Sequence, residues 1–369
     1  MTPTITSVQN RSRSTWDKTL EAVQADDKRR IDYKTTFKDL TVLPNDATVD
    51  PNMTFVNAAG VDSMTMTERA YRQYLSRLGI QHRQAVLFSG VLQGNMIQER
   101  LDYRDPGDKE PLVQPDAEIF LRTRTGNPNR VRAILSGRYG NMRDAAVAEA
   151  VAGLLPKLDT YEVLRGRVAD HIFSVTLLGK VPVFENGDKY YPIHVIQNSE
   201  VGASSFRVSS GVCKGACSNG MIFGHRTDCS VRIRHLGANM QTRVVKALNE
   251  ALGNVGRWKD LVQPAIAHAK SVLIDLEDEK QLNRAVTELR NRGLTKRLAV
   301  KVIAFSKNLP EEVYGDEFAT VSGASTNLVT RWHIINSMTH LAQDVSVFGE
   351  LERHDIEEAA GKLLLTRAA

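Results

Sequence analysis

Apolar residues in this chain recur every three to four positions in some stretches and every second position in others. In TERAYRQYLSRLG, Ala70, Tyr71, Tyr74, Leu75 and Leu78 share one helical face. Glu68 occupies the first turn behind a capping Thr65 or Thr67, and Gly79 closes the segment. A second amphipathic helix is predicted from Gln84 to Leu101, and a third over NMRDAAVAEAVAGLLPKL, capped by Asn141 and ended by Pro156. Between them RDPGDKEPLVQPD is punctuated by proline and glycine and reads as a connection. AEIFLRTRTG and NRVRAILSGRYG alternate around Gly126-Asn127-Pro128-Asn129, the pattern of a hairpin. Further strands are predicted at TYEVLRGRVAD, HIFSVTLLG, YYPIHVIQNSEVG, SSFRVSSGVCKGA, MIFG and SVRIRHLG, and from Gln241 onward the period is helical. Strands that follow one another, and do not alternate with helices, imply an α+β fold with a central antiparallel sheet and flanking helices. Three parts emerge: a polar, loosely packed arm over 1–63, an α+β core over 64–240 and a helical region over 241–369.

Composition adds little until charge is followed along the chain. The 369 residues are 42% hydrophobic and 25% charged, the values of a globular protein. No apolar run approaches the roughly 18 residues of a membrane span, and the first residues lack the apolar centre of a signal peptide, so a soluble cytoplasmic protein without membrane partners is expected. The net charge of +5 hides three basic windows. Residues 119–143 carry Arg122, Arg124, Arg130, Arg132, Arg138 and Arg143 with no acid. Residues 201–249 include Arg207, Arg232 and Arg234 against Asp228 alone, and residues 284–307 hold seven bases against Glu288. After residue 308 acids outnumber bases ten to four, which suits a mask over a basic groove or a contact for a protein partner.

Two-residue spacing places Arg122 with Arg124, Arg130 with Arg132, and Arg232 with Arg234 on common strand faces. A sheet with arginine on one face and aliphatics on the other suits a nucleic-acid backbone, because guanidinium forks onto phosphate and stacks on bases. Arg207 and Tyr139 belong to the same candidate surface, Tyr139 as a stacking ring. The competing reading is a solvated face, or pairing with the acidic C-terminal helices.

The three cysteines crowd into GVCKGACSNGMIFGHRTDC. Cys213, Cys217, His225 and Cys229 form a donor set that zinc accepts, although the first spacing is not that of a zinc knuckle. Buried thiols serve equally as small apolar side chains, and no cofactor is required by the rest of the sequence. Asn219-Gly220 is a strong turn signal.

Ser136-x-Arg138-Tyr139, then Asn198-Ser199-Glu200-x-Gly202, then Cys217-Ser218-Asn219-Gly220-Met221, and finally His235 after the last basic strand, follow one another in order. This order resembles the phage- and plasmid-borne family catalogued as domain of unknown function 932, over roughly Met64 to Lys307. Cys217 alone of the zinc candidates belongs to that pattern. Asn198, Gly202, Cys217, Asn219 and Gly220 are expected to shape turns, and Arg138 with Tyr139 to fix a turn beside the groove. The mobile-element setting implied is similar to that of single-strand annealing recombinases of the Redβ or Rad-fifty-two type. That likeness implies a homo-oligomeric ring or filament in a bacterial host that holds single-stranded DNA without nucleotide.

Phosphate-binding P-loop, nucleophile-elbow and zincin motifs are absent, which disfavours ATP-driven and hydrolytic chemistry and favours a binding protein over an enzyme. Two alternatives stand beside single-strand binding: a divalent-metal nuclease using Asp116 and Glu118 with Lys109, and a mobile-element regulator whose arginine face meets acidic protein.

Overall fold

The structure, a computed structural model, describes residues 5–366 apart from 38–39, 44–53, 58–63, 86–89, 103–113, 115, 128–129, 141, 155–159, 187, 215–219, 223–229, 238, 254–257, 307–327 and 343–349. The fold is α+β. Its largest sheet is antiparallel throughout and built from β8 (Tyr161–Val168), β9 (Phe173–Gly179), β11 (Asp188–Asn198), β12 (Phe206–Lys214) and β13 (Gly220–Ile222), in the order β13-β12-β11-β9-β8. β10 (Phe184–Asn186) adds to β11, and β14 (Ser230–Ile233) to β12.

Alternation gives this sheet two unlike faces. Tyr161, Val163, Phe173, Val175, Leu177, Ile196, Phe206 and Val208 point into one core, where they meet α1 (Ile5–Lys28), α5 (Asp144–Leu154) and α6 (Met240–Gly253). On the other face the register aligns Arg167, Ser174, Gln197, Arg207 and Arg232 in one rung across β8, β9, β11, β12 and β14. Close packing of β12 on β13 depends on Gly211, where a Cβ would lie 1.8 Å from Met221 O.

A second antiparallel sheet, β1 (Arg30–Thr36), β5 (Glu118–Arg124) and β7 (Ala133–Ser136), is ordered β1-β5-β7. A third joins β2 (Leu40–Leu43), β3 (Thr54–Asn57), β4 (Met64–Met66) and β6 (Arg130–Val131), with β4 and β6 parallel. The predicted hairpin therefore forms between β5 and β7, while β6 diverges to pair with β4. Both sheets share a core with α2 (Glu68–Arg77), α3 (His82–Ala85) and α4 (Gly90–Asp102). The cap of α2 is as expected: Thr67 accepts from Ala70 N at 3.2 Å, and Gly79 takes φ 69° beyond its end.

The C-terminal region is α7 (Trp258–Ser271), α8 (Glu279–Asn291), α9 (Lys296–Ser306), α10 (Arg331–Leu341) and α11 (Glu350–Leu364), with a short ribbon of β15 (Leu273–Asp275) and β16 (Leu328–Thr330) that helical periodicity did not announce. Trp332 is its largest buried side chain. Among the described residues no helix is long and apolar enough to cross a membrane.

The N-terminal segment departs from expectation. The described part of residues 1–63 is packed and not a loose arm: Trp16 and Val23 of α1 enter the core below β8, and β1 pairs with β5 along its whole length. Gly166 allows this approach, since a Cβ there would come within 2.2 Å of Thr19 Oγ1. The proposed cap Asn141 lies outside the described residues, and α5 begins at Asp144.

Candidate nucleic-acid interface

The arginines of the first basic window sit among acids that are distant in sequence. Asp32 of β1 lies opposite Arg122 of β5, and the guanidinium forks onto it, Nε to Oδ1 at 2.8 Å and Nη2 to Oδ2 at 2.9 Å. Nη1 donates to Glu200 O, and the residue is only 2% exposed. Burial opposes its charge, but the hydrogen bonds and charge of Asp32, together with Glu200, more than restore it. Arg124 donates to Asp26 (2.6 Å) and Asp170 (2.7 Å). Arg132 reaches Glu200 Oε1 (3.4 Å) and donates to Asp170 O. Asp32, Arg122, Glu200, Arg132, Asp26, Arg124 and Asp170 thus form an alternating chain that ties α1 and β1 to the turns after β8 and β11.

The motif residues meet beside that chain. Asn198, fully buried at the end of β11, donates to Asp144 Oδ1 (2.6 Å) and Met142 O (3.2 Å), and its Oδ1 lies 3.0 Å from His235 Nε2. Phe206 N–H donates to the same Nε2 at 3.1 Å. Two neutral tautomers serve these contacts: with Nε2 accepting from Phe206, the ring gives Nδ1–H to the Tyr139 hydroxyl, whose own proton goes to Ser199 O at 2.8 Å; with Nε2–H given to Asn198 Oδ1, Nδ1 accepts from Tyr139. Burial and the neighbouring Arg122 push His235 down to about 4, which keeps it neutral. Gly202 (φ 69°) completes the Asn-Ser-Glu turn. Asn198 and Tyr139 are therefore pins that join β11, α5, β12 and β14 in the interior; Tyr139 spends its hydroxyl there and is not a free stacking ring.

Acid sensitivity follows from these pins. His194, buried between Ser210 and Tyr161, is pushed by burial to about 3. Both histidines bind protons more readily in the unfolded chain, so stability is present above the ordinary histidine pKa near 6.5 and is lost as pH falls toward 4. Each contributes a loss of about 2 kcal/mol by pH 5. Asp144, pushed up by burial and then by Glu200, has the opposite sign, because the native state holds its proton above the ordinary carboxylate range. With His354 of α11, likewise pushed well down by burial, added to the two histidines, a net loss of about 3 kcal/mol between pH 7 and pH 5 is expected in urea titrations. Equal midpoints at the two pH values would refute the neutral-ring arrangement.

The nine predicted contact residues do not line one groove. Arg122 is interior, while Arg124, Arg130 and Arg132 face a cleft of about 390 Å³ together with Arg69, Asp170 and His171. Arg138 and Arg234 are exposed elsewhere. Arg207 donates to Gln197 Oε1 (2.6 Å) and lies 3.7 Å from Glu358 of α11, and Arg232 is exposed beside it. The alternation was correctly read, but in β5 the arginine face is turned inward onto acids at positions 26, 32, 170 and 200, which an acid-free window cannot reveal.

What the sequence reading missed is the arginine-bearing face of α2. Arg69, Arg72 and Arg77 line a second cleft of about 540 Å³ that shares Glu68 and Arg69 with the first. The two make one trough along the outer side of α2, with six arginines against Glu68 and Asp170 in its walls. Arg69 and Arg130 have no ion pair among the described residues, whereas Arg72 pairs with Glu68. Gln73 holds α2 in place, donating to Val201 O (2.8 Å) and accepting from Ile134 N (2.9 Å). The signal was present in RAYRQYLSR, whose arginines avoid the apolar face. The field is positive: His171 is pushed down by burial and then by Arg69, and Asp170, against its burial, is held down by Arg124, Arg132 and Arg130.

Of the zinc candidates, Cys213 is buried, outside any disulfide, donates to Lys214 O at 3.6 Å and packs with Ile193, Val195 and Ile222; Cys217, His225 and Cys229, like Asn219, lie outside the described residues. Gly220 opens β13. No group of three or more His, Cys, Asp or Glu able to hold a metal occurs among the described residues. Glu118 is taken up by Lys34 at 2.5 Å, and Lys109 lies outside the described residues.

A family model described as Domain of unknown function (DUF932) matches residues 133–358, more than half of the chain and further toward the C-terminus than the motifs alone suggested. No curated protein and no solved structure matches. The match begins at β7, so α2 and the β5 wall of the trough precede it.

Proposed function

The chain belongs to the DUF932 family, whose description carries no activity, and we propose that this member binds single-stranded nucleic acid along the trough beside α2. The carrying observation is the continuity of two clefts through Arg69, with six arginines in their walls against Glu68 and Asp170, two of them, Arg69 and Arg130, without a direct ion pair among the described residues. An open, elongated basic surface suits a polyanion whose flexible backbone can follow it. α2, about 15 Å long by its ten residues, offers room for two or three successive phosphates of a strand. Annealing of complementary strands by a homo-oligomer is the further step of this reading, and it rests on the mobile-element setting expected from the sequence motifs.

Fluorescence anisotropy with labelled single- and double-stranded oligonucleotides, over a salt series without metal or nucleotide, tests it. Expected is preference for the single strand and affinity that falls steeply with salt. Absence of binding at low salt refutes it, and strand cleavage on adding magnesium would replace it with a nuclease.

A further inference from the structure

On the far side of the large sheet a separate cavity of about 710 Å³ opens between β12, β14, the α8–α9 turn and α11. Its walls carry six cationic side chains against two carboxylates, Asp355 and Glu358. Arg207 and Arg232 are direct cross-strand partners, a juxtaposition of like charges that opposes pairing of β12 with β14. Glu358 relieves one of them, at 3.7 Å from Arg207, but it is also engaged by Lys362 at 2.9 Å. Arg232 and Arg297 have no ion pair among the described residues. Arg297 and Lys301, one turn apart on α9, are exposed toward the same space. The first turn of α9 joins them, entered through Gly293 at φ 106° and capped by Thr295, which accepts from Leu298 N at 3.3 Å.

The remaining lining is apolar: Leu294, Leu298 and Ile356. A bare inorganic anion would leave that wall unused. The volume falls in the range of small-ligand pockets. Nor is α11 a detachable cover, since Ile356, Ala359, Ala360, Leu363 and Leu364 are buried in the C-terminal core. His354 of α11, buried behind the cavity, is pushed well down by burial and then by Arg207, Lys362, Arg165 and Arg232, so the positive field extends into the wall.

We propose that this cavity binds a nucleotide phosphate, with the phosphate on Arg232, Arg297 and Lys301 and the base against Leu294 and Leu298. The site is independent of the trough. All of its lining except Lys362 falls within the family-matched span. A nucleotide phosphate has two sources, a free mononucleotide or the phosphorylated end of a strand.

Calorimetric titration of the full chain with AMP, ATP, pyrophosphate and adenosine is the test, read together with thermal unfolding. The phosphorylated nucleosides are expected to bind and raise Tm, and adenosine to do neither. The exposed-site double variant Arg232→Ala/Arg297→Ala is expected to weaken binding more than tenfold without lowering the unliganded Tm, since it also relieves the Arg207–Arg232 repulsion, whereas Arg69→Ala/Arg130→Ala leaves binding intact. Competition by a 5′-phosphorylated oligonucleotide, and not by its 5′-hydroxyl counterpart, identifies a strand end; competition by neither identifies the free nucleotide. No binding of any phosphate compound, or binding that survives both Arg232→Ala/Arg297→Ala and Lys301→Glu, overturns the proposal. Loss of oligonucleotide binding in the trough variants alone bears on the trough and not on this site.

Discussion

Replacing Arg122 by alanine is expected to lower the free energy of unfolding by about 2–3 kcal/mol, because it empties a buried guanidinium site and takes the fork from Asp32, which faces solvent and keeps Arg30 at 3.5 Å. Glu200 O loses a donor in the same step, and the unbalanced negative charge extends to Asp144 and Glu200. The measurement is the urea midpoint at pH 7, with the slope monitored to show that the transition stays two-state. The prediction separates two roles for one residue. A phosphate contact would lose affinity and keep its stability. Arg122 is expected to do the reverse: under conditions where the variant is folded, oligonucleotide affinity stays within about twofold of the parent protein. A tenfold affinity loss with an unchanged midpoint would show that the ion-pair chain is not its role.

Reversing the trough has the opposite signature. Arg69→Glu with Arg130→Glu is expected to weaken single-strand binding by more than about tenfold at low salt, and to reduce the slope of log K against log salt by about 1.4, which is roughly 0.7 for each of two phosphates. Stability is expected to hold, since neither residue has an ion pair among the described residues and Arg69 is opposed by the charge of Arg72 after its burial. Unchanged affinity in this variant would remove the trough from the binding surface even if the protein bound DNA. The exposed Arg138 and Arg234 would then be the next residues to reverse.

The elements were legible where local chemistry decides them. Thr67, the apolar face of α2 and Gly79 state a helix completely, and the alternation of the β8–β14 region states an antiparallel sheet. The ion-pair chain was not legible, because its charges come from positions as far apart as 26 and 200 and their proximity is a property of topology. The same cause split the arginines. Periodicity says which residues share a face but not what that face meets: Arg122 and Arg124 do share one, and it meets carboxylates. Asn198, Ser199 and Tyr139 of the motifs do assemble, together with His235, as an interior hydrogen-bonded cluster, while Arg138 stays exposed. Bound to the interior, they account for themselves by folding, whereas the proposed binding surface rests on α2, whose arginines looked like ordinary solvent-facing positions.

The polar character of α1 has a consequence for synthesis on the ribosome. α1 is made well before the strand it covers, since β8 begins at Tyr161. At common elongation rates that separation is on the order of ten seconds. During this wait Trp16 and Val23 have no partner surface, and a helix with a broad apolar face would invite aggregation. A narrow stripe among charged and hydroxylated residues keeps the waiting segment in water, and the same thinness made it read as an unstructured arm. The acids it carries, Asp26 and Asp27, likewise travel ahead of the arginines that later engage them, Arg124 and Arg143, so the nascent chain gains its N-terminal closure late, when those partners have emerged.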